Sequence, residues 1–362
     1  MNENILSGSY PLEDVTFLLK NINGLIEEQN NDYRENAIQS GVHYSEMLPI
    51  EYHPSSEYMD IFHETLAQSK KKLAQLTAVL SEEIIKKRGD KLVLVSLARA
   101  GTPIGILIKR YIKYKYHIDV PHYSISIVRD IGIDENALNY ILKTHPNSQL
   151  QFIDGWTGKG VIQQTLIEAC NKFYADYNIK LNPDLAVLSD PAYCTDTYAT
   201  REDFLIPSAC LNSTVSGLIS RTVYNKKFIG KEDFHGAKYY SEWETSDVSN
   251  NFIDTVTGEF EGVDKAYYSE KDTTNNKGLK DVKNIQKIYE IDNINLIKPG
   301  VGETTRVLLR RIPWRILVDS LDNPNLRHIY RLAADRKVKV EIFKDMSYSC
   351  CGIIKPKGLG DI

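Results

Sequence analysis

Cysteine is scarce in this 362-residue chain, and its five copies form no recognisable framework. Cys170, Cys194, Cys210, Cys350 and Cys351 are odd in number, two are adjacent, and no C-x-x-C occurs, which argues against both a disulfide scaffold and a cysteine zinc site. Long apolar runs are also missing. The longest, KLVLVSLA from Lys91, has the length of a strand and not of a membrane span. The N-terminus has no basic start and no apolar signal core, so a cytoplasmic protein with no membrane partner is expected. No internal repeat is visible. Net charge is small, −4, but uneven: residues 286–362 carry 14 Lys/Arg against 9 Asp/Glu, a balance of +5 that leaves −9 for the rest. A basic tail on an acidic body suggests two different partners.

What is present is an ordinary globular composition, 42% hydrophobic and 25% charged. Residues 1–90 read as a mainly helical extension. Ile61, Phe62, Leu66, Leu73, Leu76, Leu80 and Ile84 recur at helical spacing, and the lysines at 70–72 read as a solvated face. From residue 91 to about 250 the pattern becomes strand, helix, strand, helix. That alternation predicts a parallel sheet with ligands at the carboxyl ends of its strands. Residues 251–285 read as a polar linker, and 286–362 as a smaller α/β domain. The expected fold class is α/β throughout.

Two strand ends carry glycine turns. In DGWTGKGV, Gly155, Thr157, Gly158, Lys159 and Gly160 supply close-approaching amides, a hydroxyl and an ammonium at a helix start, where an anion is favoured. Asp154 stands at the strand end, placed for a ribose hydroxyl or a magnesium ion. The spacing is not that of a P-loop. The second turn is ARAGTPIG, with Arg99, Ala100, Gly101 and Thr102.

These two loops, in this order, resemble those of phosphoribosyltransferases. The resemblance implies that 157–160 holds the 5′-phosphate of phosphoribosyl pyrophosphate, while Arg99 and the 100–102 amides hold the pyrophosphate, with Mg2+ at Asp154. The usual second carboxylate is absent, since Gly155 follows Asp154. GSYPLEDVTFLLK, GVHYSEMLPIE, ARAGTPIG and IPSACLNSTVSGLISRT together look like the phosphoribosyltransferase-like family of bacterial tellurium-resistance and stress-response gene clusters. That family also circulates under the name cysteine protease StiP. The two names imply a glycosyltransferase and a hydrolase.

The hydrolase reading centres on Cys210, which Pro207 and Ser208 would place in the first turn of a helix, where a thiolate is favoured. His235 would be its base, oriented by Asp203 or Asp233. Asn212 and Ser213 are candidate polar contacts to substrate, as are His43 and Glu46 in HYSEM, and Arg129 with Asp130 past a strand end. A third alternative is a non-catalytic sensor of nucleotide and RNA.

KPGVGETTRVLLRRI and the strand and helix after it resemble the RNA-binding domain of Pelota and the kink-turn-binding ribosomal proteins, which read G-x-N-E-x-T-K at a helix start. Here the run is Gly300 to Arg306, with Gly302 in place of the asparagine. The resemblance implies RNA contact through Gly300, Gly302 and Glu303, with Arg306, Arg310 and Arg311 on phosphates. The leading expectation is a phosphoribosyltransferase coupled to RNA binding.

Overall fold

The central strand is Leu92–Ala98, apolar nearly throughout because it is covered on both faces. The computed structural model describes residues 6–263 and 273–356. Six strands form the main sheet: β1 (Thr16–Phe17), β2 (Leu92–Ala98), β3 (His122–Val128), β4 (Gln149–Trp156), β5 (Leu185–Ser189) and β6 (Thr197–Thr200). Their order is β1-β3-β2-β4-β5-β6 and every pairing is parallel, with Gly132–Ile133 adding a short antiparallel partner to β3.

Alternation along the strands divides the core. Leu92 and Leu94 of β2 and Ala186 and Leu188 of β5 pack on one face, with α2 (Ser56–Arg88) and α3 (Gly101–Tyr116). Val93, Val95, Leu97, Phe152 and Val187 pack on the other, with α4 (Glu135–Thr144) and α5 (Val161–Tyr177). The helix α2 buries Ile61, Phe62, Leu66, Leu73, Leu80 and Ile84, and Gly89 closes it at φ 73°. Lys70 and Lys72 on its outer side pair with Glu259 and Glu202.

Residues 6–55 differ from the expected helical extension. Beside α1 (Asn31–Gln39) they hold short strands, and Thr16–Phe17 joins the main sheet. Their apolar residues serve a sheet edge and a small cluster around Ile22 and Leu48 instead of one helix face. Within 251–285, α6 (Ser249–Thr257) and α7 (Lys277–Ile288) are helical, while residues 264–272 lie outside the described residues.

The C-terminal domain has strands β7 (Ile297–Pro299), β8 (Pro313–Val318), β9 (Lys339–Ile342) and β10 (Cys350–Ile354), ordered β7-β10-β8-β9, with helices α8 (Val301–Arg310) and α9 (Arg327–Asp335). It sits on the carboxyl edge of the main sheet. Tyr348 Oη donates to the Gly158 carbonyl at 2.7 Å, and Lys159 Nζ to the Ile294 carbonyl at 2.9 Å.

Candidate functional site

The 157–160 turn is occupied by protein. Thr157 Oγ1 donates to Asp190 Oδ1 at 2.5 Å, and Asp190 also pairs with Arg201. The Lys159 ammonium is pushed down to about 8, first by burial and then by Lys298. Gly160 takes φ 80° to start α5. This turn therefore docks the C-terminal domain onto the sheet. Asp154 receives the Gly155 amide at 2.8 Å, and burial pushes its carboxyl up to about 7. No group of three or more His, Cys, Asp or Glu side chains suited to a metal occurs among the described residues.

The other turn is differently placed. Gly101 has no room for a side chain, since a Cβ there would lie 2.3 Å from the Ile153 carbonyl oxygen; the glycine lets α3 start against β4. Ala100 and Thr102 flank it, the latter buried with its hydroxyl 2.8 Å from Ser124 Oγ. Arg99 Nη1 donates to the Ile219 carbonyl at 2.8 Å, and Nη2 to Glu51 Oε2 at 3.3 Å. The same carboxylate accepts the Ser213 amide at 3.0 Å. Burial alone would raise the Glu51 pKa, but Arg99, the Ser213 amide and Arg310 outweigh it and hold the group below its ordinary value.

Arg99 and Glu51 belong to a cleft of about 710 Å3 between the two domains. Arg34 and Arg221 enter it from the core, and Arg306, Arg310 and Arg311 from α8. Arg306 Nε donates to the Ala209 carbonyl at 3.0 Å; Arg310 donates to the Cys210 carbonyl at 2.8 Å and to Asn212 Oδ1 at 2.6 Å. Arg34, Arg221 and Arg311 have no carboxylate partner among the described residues. Burial and then Arg34 push the Arg221 pKa down to about 10. Tyr52, His53, Tyr58 and Trp243 supply aromatic surface.

Cys210 lies behind this cleft, fully buried in the apolar core. Burial pushes its thiol up to about 12, against the opposing pull of Arg306 and Arg310. The expected helix is only a three-residue turn, Pro207–Ala209, which offers no helix-terminus field to the thiol. His235 is elsewhere: its Nδ1 is 2.9 Å from Ser126 Oγ, its backbone N–H donates to Asp134, and its ring packs on Tyr224. No hydrogen bond joins it to Cys210. Asp233 is paired with Lys20 at 2.6 Å. Asp203 accepts the Val301 and Ser349 amides at 2.9 Å each, capping α8. The expected Cys210–His235–Asp constellation is thus not assembled. The imidazole that shares a cleft with Asn212 and Ser213 is His53, whose Nε2 is 2.6 Å from Ser246 Oγ.

The remaining candidates gather beside the cleft. The guanidinium groups of Arg129 (5.3 Å) and Arg221 (4.8 Å) both lie over the Tyr44 ring. His43 Nδ1 is 2.8 Å from Ser45 Oγ, and its Nε2 is 3.9 Å from Asp130. The Glu46 carbonyl accepts from Asn225 at 2.9 Å.

The RNA-binding motif is also placed unexpectedly. Gly300 and Gly302 are buried against the core, and a Cβ on Gly302 would lie 3.1 Å from Ala209 Cβ and 3.6 Å from Trp156. That is a physical reason for glycine where kink-turn proteins have asparagine. Glu303 pairs with Arg306 at 2.9 Å. Glu51, His53, Arg34 and Arg221 are not candidates in the sequence, because no spacing links them; the fold does.

Architecture and cleft define an α/β core whose ligand edge is closed by a small RNA-binding-type domain. Residues 8–257 match the family described as tellurite-like stress resistance cysteine protease StiP, and residues 276–356 match the PELOTA RNA binding domain. The cysteine protease StiP of Acinetobacter baylyi is 34% identical over 98% of this chain and 95% of its own length. The chain belongs to the StiP family. A crystal structure of tagatose-6-phosphate ketose/aldose isomerase from Escherichia coli aligns with 80% of this chain and 69% of its own at 14% identity, but its TM-score of 0.22 carries no argument.

These matches overturn the phosphoribosyltransferase expectation: the family is a cysteine-protease one, so the transferase activity falls. The structure gives the physical reason, since the supposed phosphate turn is filled by Tyr348 and the backbone at Ile294, and its ribose-binding acidic pair is lacking. Among the described residues no helix is long and apolar enough to cross a membrane.

Proposed function

We propose that the chain is a cysteine-protease-type hydrolase with Cys210 as its nucleophile, and that its Pelota-type domain binds RNA and holds the thiol closed at rest. The observation that carries this is the grip of Arg306 and Arg310, on the RNA-binding domain, on the carbonyls of Ala209 and Cys210. Family membership supports cysteine chemistry. Among the five thiols, Cys210 lies against the arginine cleft, where those two cations favour thiolate. At rest, burial wins and the thiol stays protonated. Withdrawal of α8 would admit water and leave Cys210 near polar groups of the cleft, with His53 as the imidazole on the same side.

The test is hydrolysis of an unfolded protein such as casein by wild type, Cys210→Ser and Cys194→Ser, with and without RNA. Loss in Cys210→Ser alone is expected; retained hydrolysis in that variant overturns the assignment. The burial of all five thiols favours a second reading, in which the chain binds RNA without covalent chemistry. Absence of hydrolysis under every condition, with RNA bound, would select it.

A further inference from the structure

We infer that a single-stranded RNA segment is held in the arginine cleft between the two domains, by its phosphates and stacked bases, and not at the start of α8. This rests on the RNA-binding reading of the C-terminal domain and names where and in what form the RNA is taken. Three features of the cleft and its surroundings lead to it.

The helix start is closed. Asp203 of the core occupies the Val301 amide at 2.9 Å, placing a carboxylate where a phosphate would have to sit. Gly302 packs on Ala209 and Trp156 with no space for a nucleotide. RNA that meets α8 in this arrangement must meet its arginine-bearing side.

That side is short of anions. Among the described residues, six arginines line the cleft against a single carboxylate, Glu51, which is already committed to Arg99. Arg34 Nε is buried without a hydrogen-bond partner among the described residues. The pKa of Arg34 is pushed down by burial and then by Arg311, and that of Arg221 by burial and then by Arg34, so these cations crowd one another across the domain boundary. A run of phosphates supplies the missing charge, and bidentate guanidinium contacts suit it.

The facing wall is aromatic. Trp243 stacks on Tyr240 at 4.8 Å with planes 8° apart, and His53 stands edge-on to it at 6.3 Å. Tyr52 is 69% exposed beside them. Rings with open faces next to a cationic track are the ordinary means of holding unstacked bases. The volume, about 710 Å3, is that of a small-ligand site and takes splayed nucleotides, whereas a duplex would be read by its outer shape.

The experiment is fluorescence anisotropy of the full chain with a labelled single-stranded oligouridine and a labelled hairpin, over a salt series. Wild type is expected to prefer the single strand. Arg34→Ala/Arg311→Ala should bind it about tenfold or more weakly, with the salt slope reduced by about 0.7 for each phosphate that is no longer neutralised. Lys344→Ala, on an exposed part of the same domain, should bind as wild type. If the double variant does not fold, photo-crosslinking of wild type decides: crosslinks at Tyr52, His53 or Trp243 support the cleft, and crosslinks confined to other surfaces overturn it. Unchanged affinity and slope in a folded double variant, or preference for the hairpin, overturns the cleft and leaves RNA binding standing. No binding of either RNA by wild type removes both.

Discussion

Asp203 accepts the Val301 amide at 2.9 Å, so a side chain of the main domain caps the helix with which the C-terminal domain would be expected to meet RNA. The same carboxylate takes the Ser349 amide, and the Asp203 carbonyl takes the Ser349 hydroxyl, each at 2.9 Å. One residue therefore both joins the domains and closes a binding surface.

Asp203 also sets a pH dependence. Burial pushes its carboxyl up to about 7, against the pull of the Val301 and Ser349 amides. A raised acid binds more protons in the native than in the unfolded state, so its contribution to stability falls as pH rises from its unfolded value, about 3.9, to about 7. Asp203→Asn removes that titration. The change in Tm between pH 5 and pH 7.5 should be less negative, or more positive, in the variant than in wild type. Identical pH dependence would contradict the assignment.

Gly302→Asn restores the kink-turn residue and tests why it is missing. The added side chain meets Ala209 Cβ at 3.1 Å and the Trp156 ring. Overpacking of this kind costs about 1–3 kcal/mol. We expect a lower Tm and easier proteolysis between the domains, read by limited digestion. An unchanged melting curve would mean that the interface opens freely.

Glu51→Gln removes the carboxylate of the cleft. Its lowered pKa means that its stabilising contribution is present above about 4.5 and lost as pH falls through the folded value. The variant should be less stable at neutral pH, because Arg99 loses a largely buried partner at 3.3 Å. It should also bind single-stranded RNA more tightly, since Arg99 becomes available. Weaker binding in a folded variant would place the RNA elsewhere.

Much of the main domain is legible from periodicity. Strand-length apolar runs at 92–97 and 122–128 and the spacing of Ile61 through Ile84 specify buried strands and a long helix, because burial on both faces or on one stripe leaves those patterns. The 6–55 segment is not legible in this way, since two-residue strands at a sheet edge leave no period. The glycine turn at 157–160 carries the same residues whether it holds a phosphate or a neighbouring domain; Tyr348, 190 residues from Gly158, and the backbone at Ile294 decide. The site is legible residue by residue but not as a whole. Arg99, Asn212, Arg306 and Arg310 can be named from the sequence, but Glu51, Arg34 and Arg221 join them only through the fold, and the same fold separates His235 from Cys210.

The central claim is that α8 keeps Cys210 closed, and alkylation of the intact protein tests it directly. With iodoacetamide near neutral pH, Cys210 of wild type should label slowly, as a buried thiol raised to about 12. Arg306→Ala/Arg310→Ala removes two charge-assisted bonds to the Ala209 and Cys210 carbonyls, each worth about 1.5–3 kcal/mol. Labelling of Cys210, followed by peptide mass spectrometry, should then rise about tenfold or more, while Cys170 is unchanged. Equal rates for Cys210 in the two proteins would contradict the account, because α8 would then not be what closes the thiol.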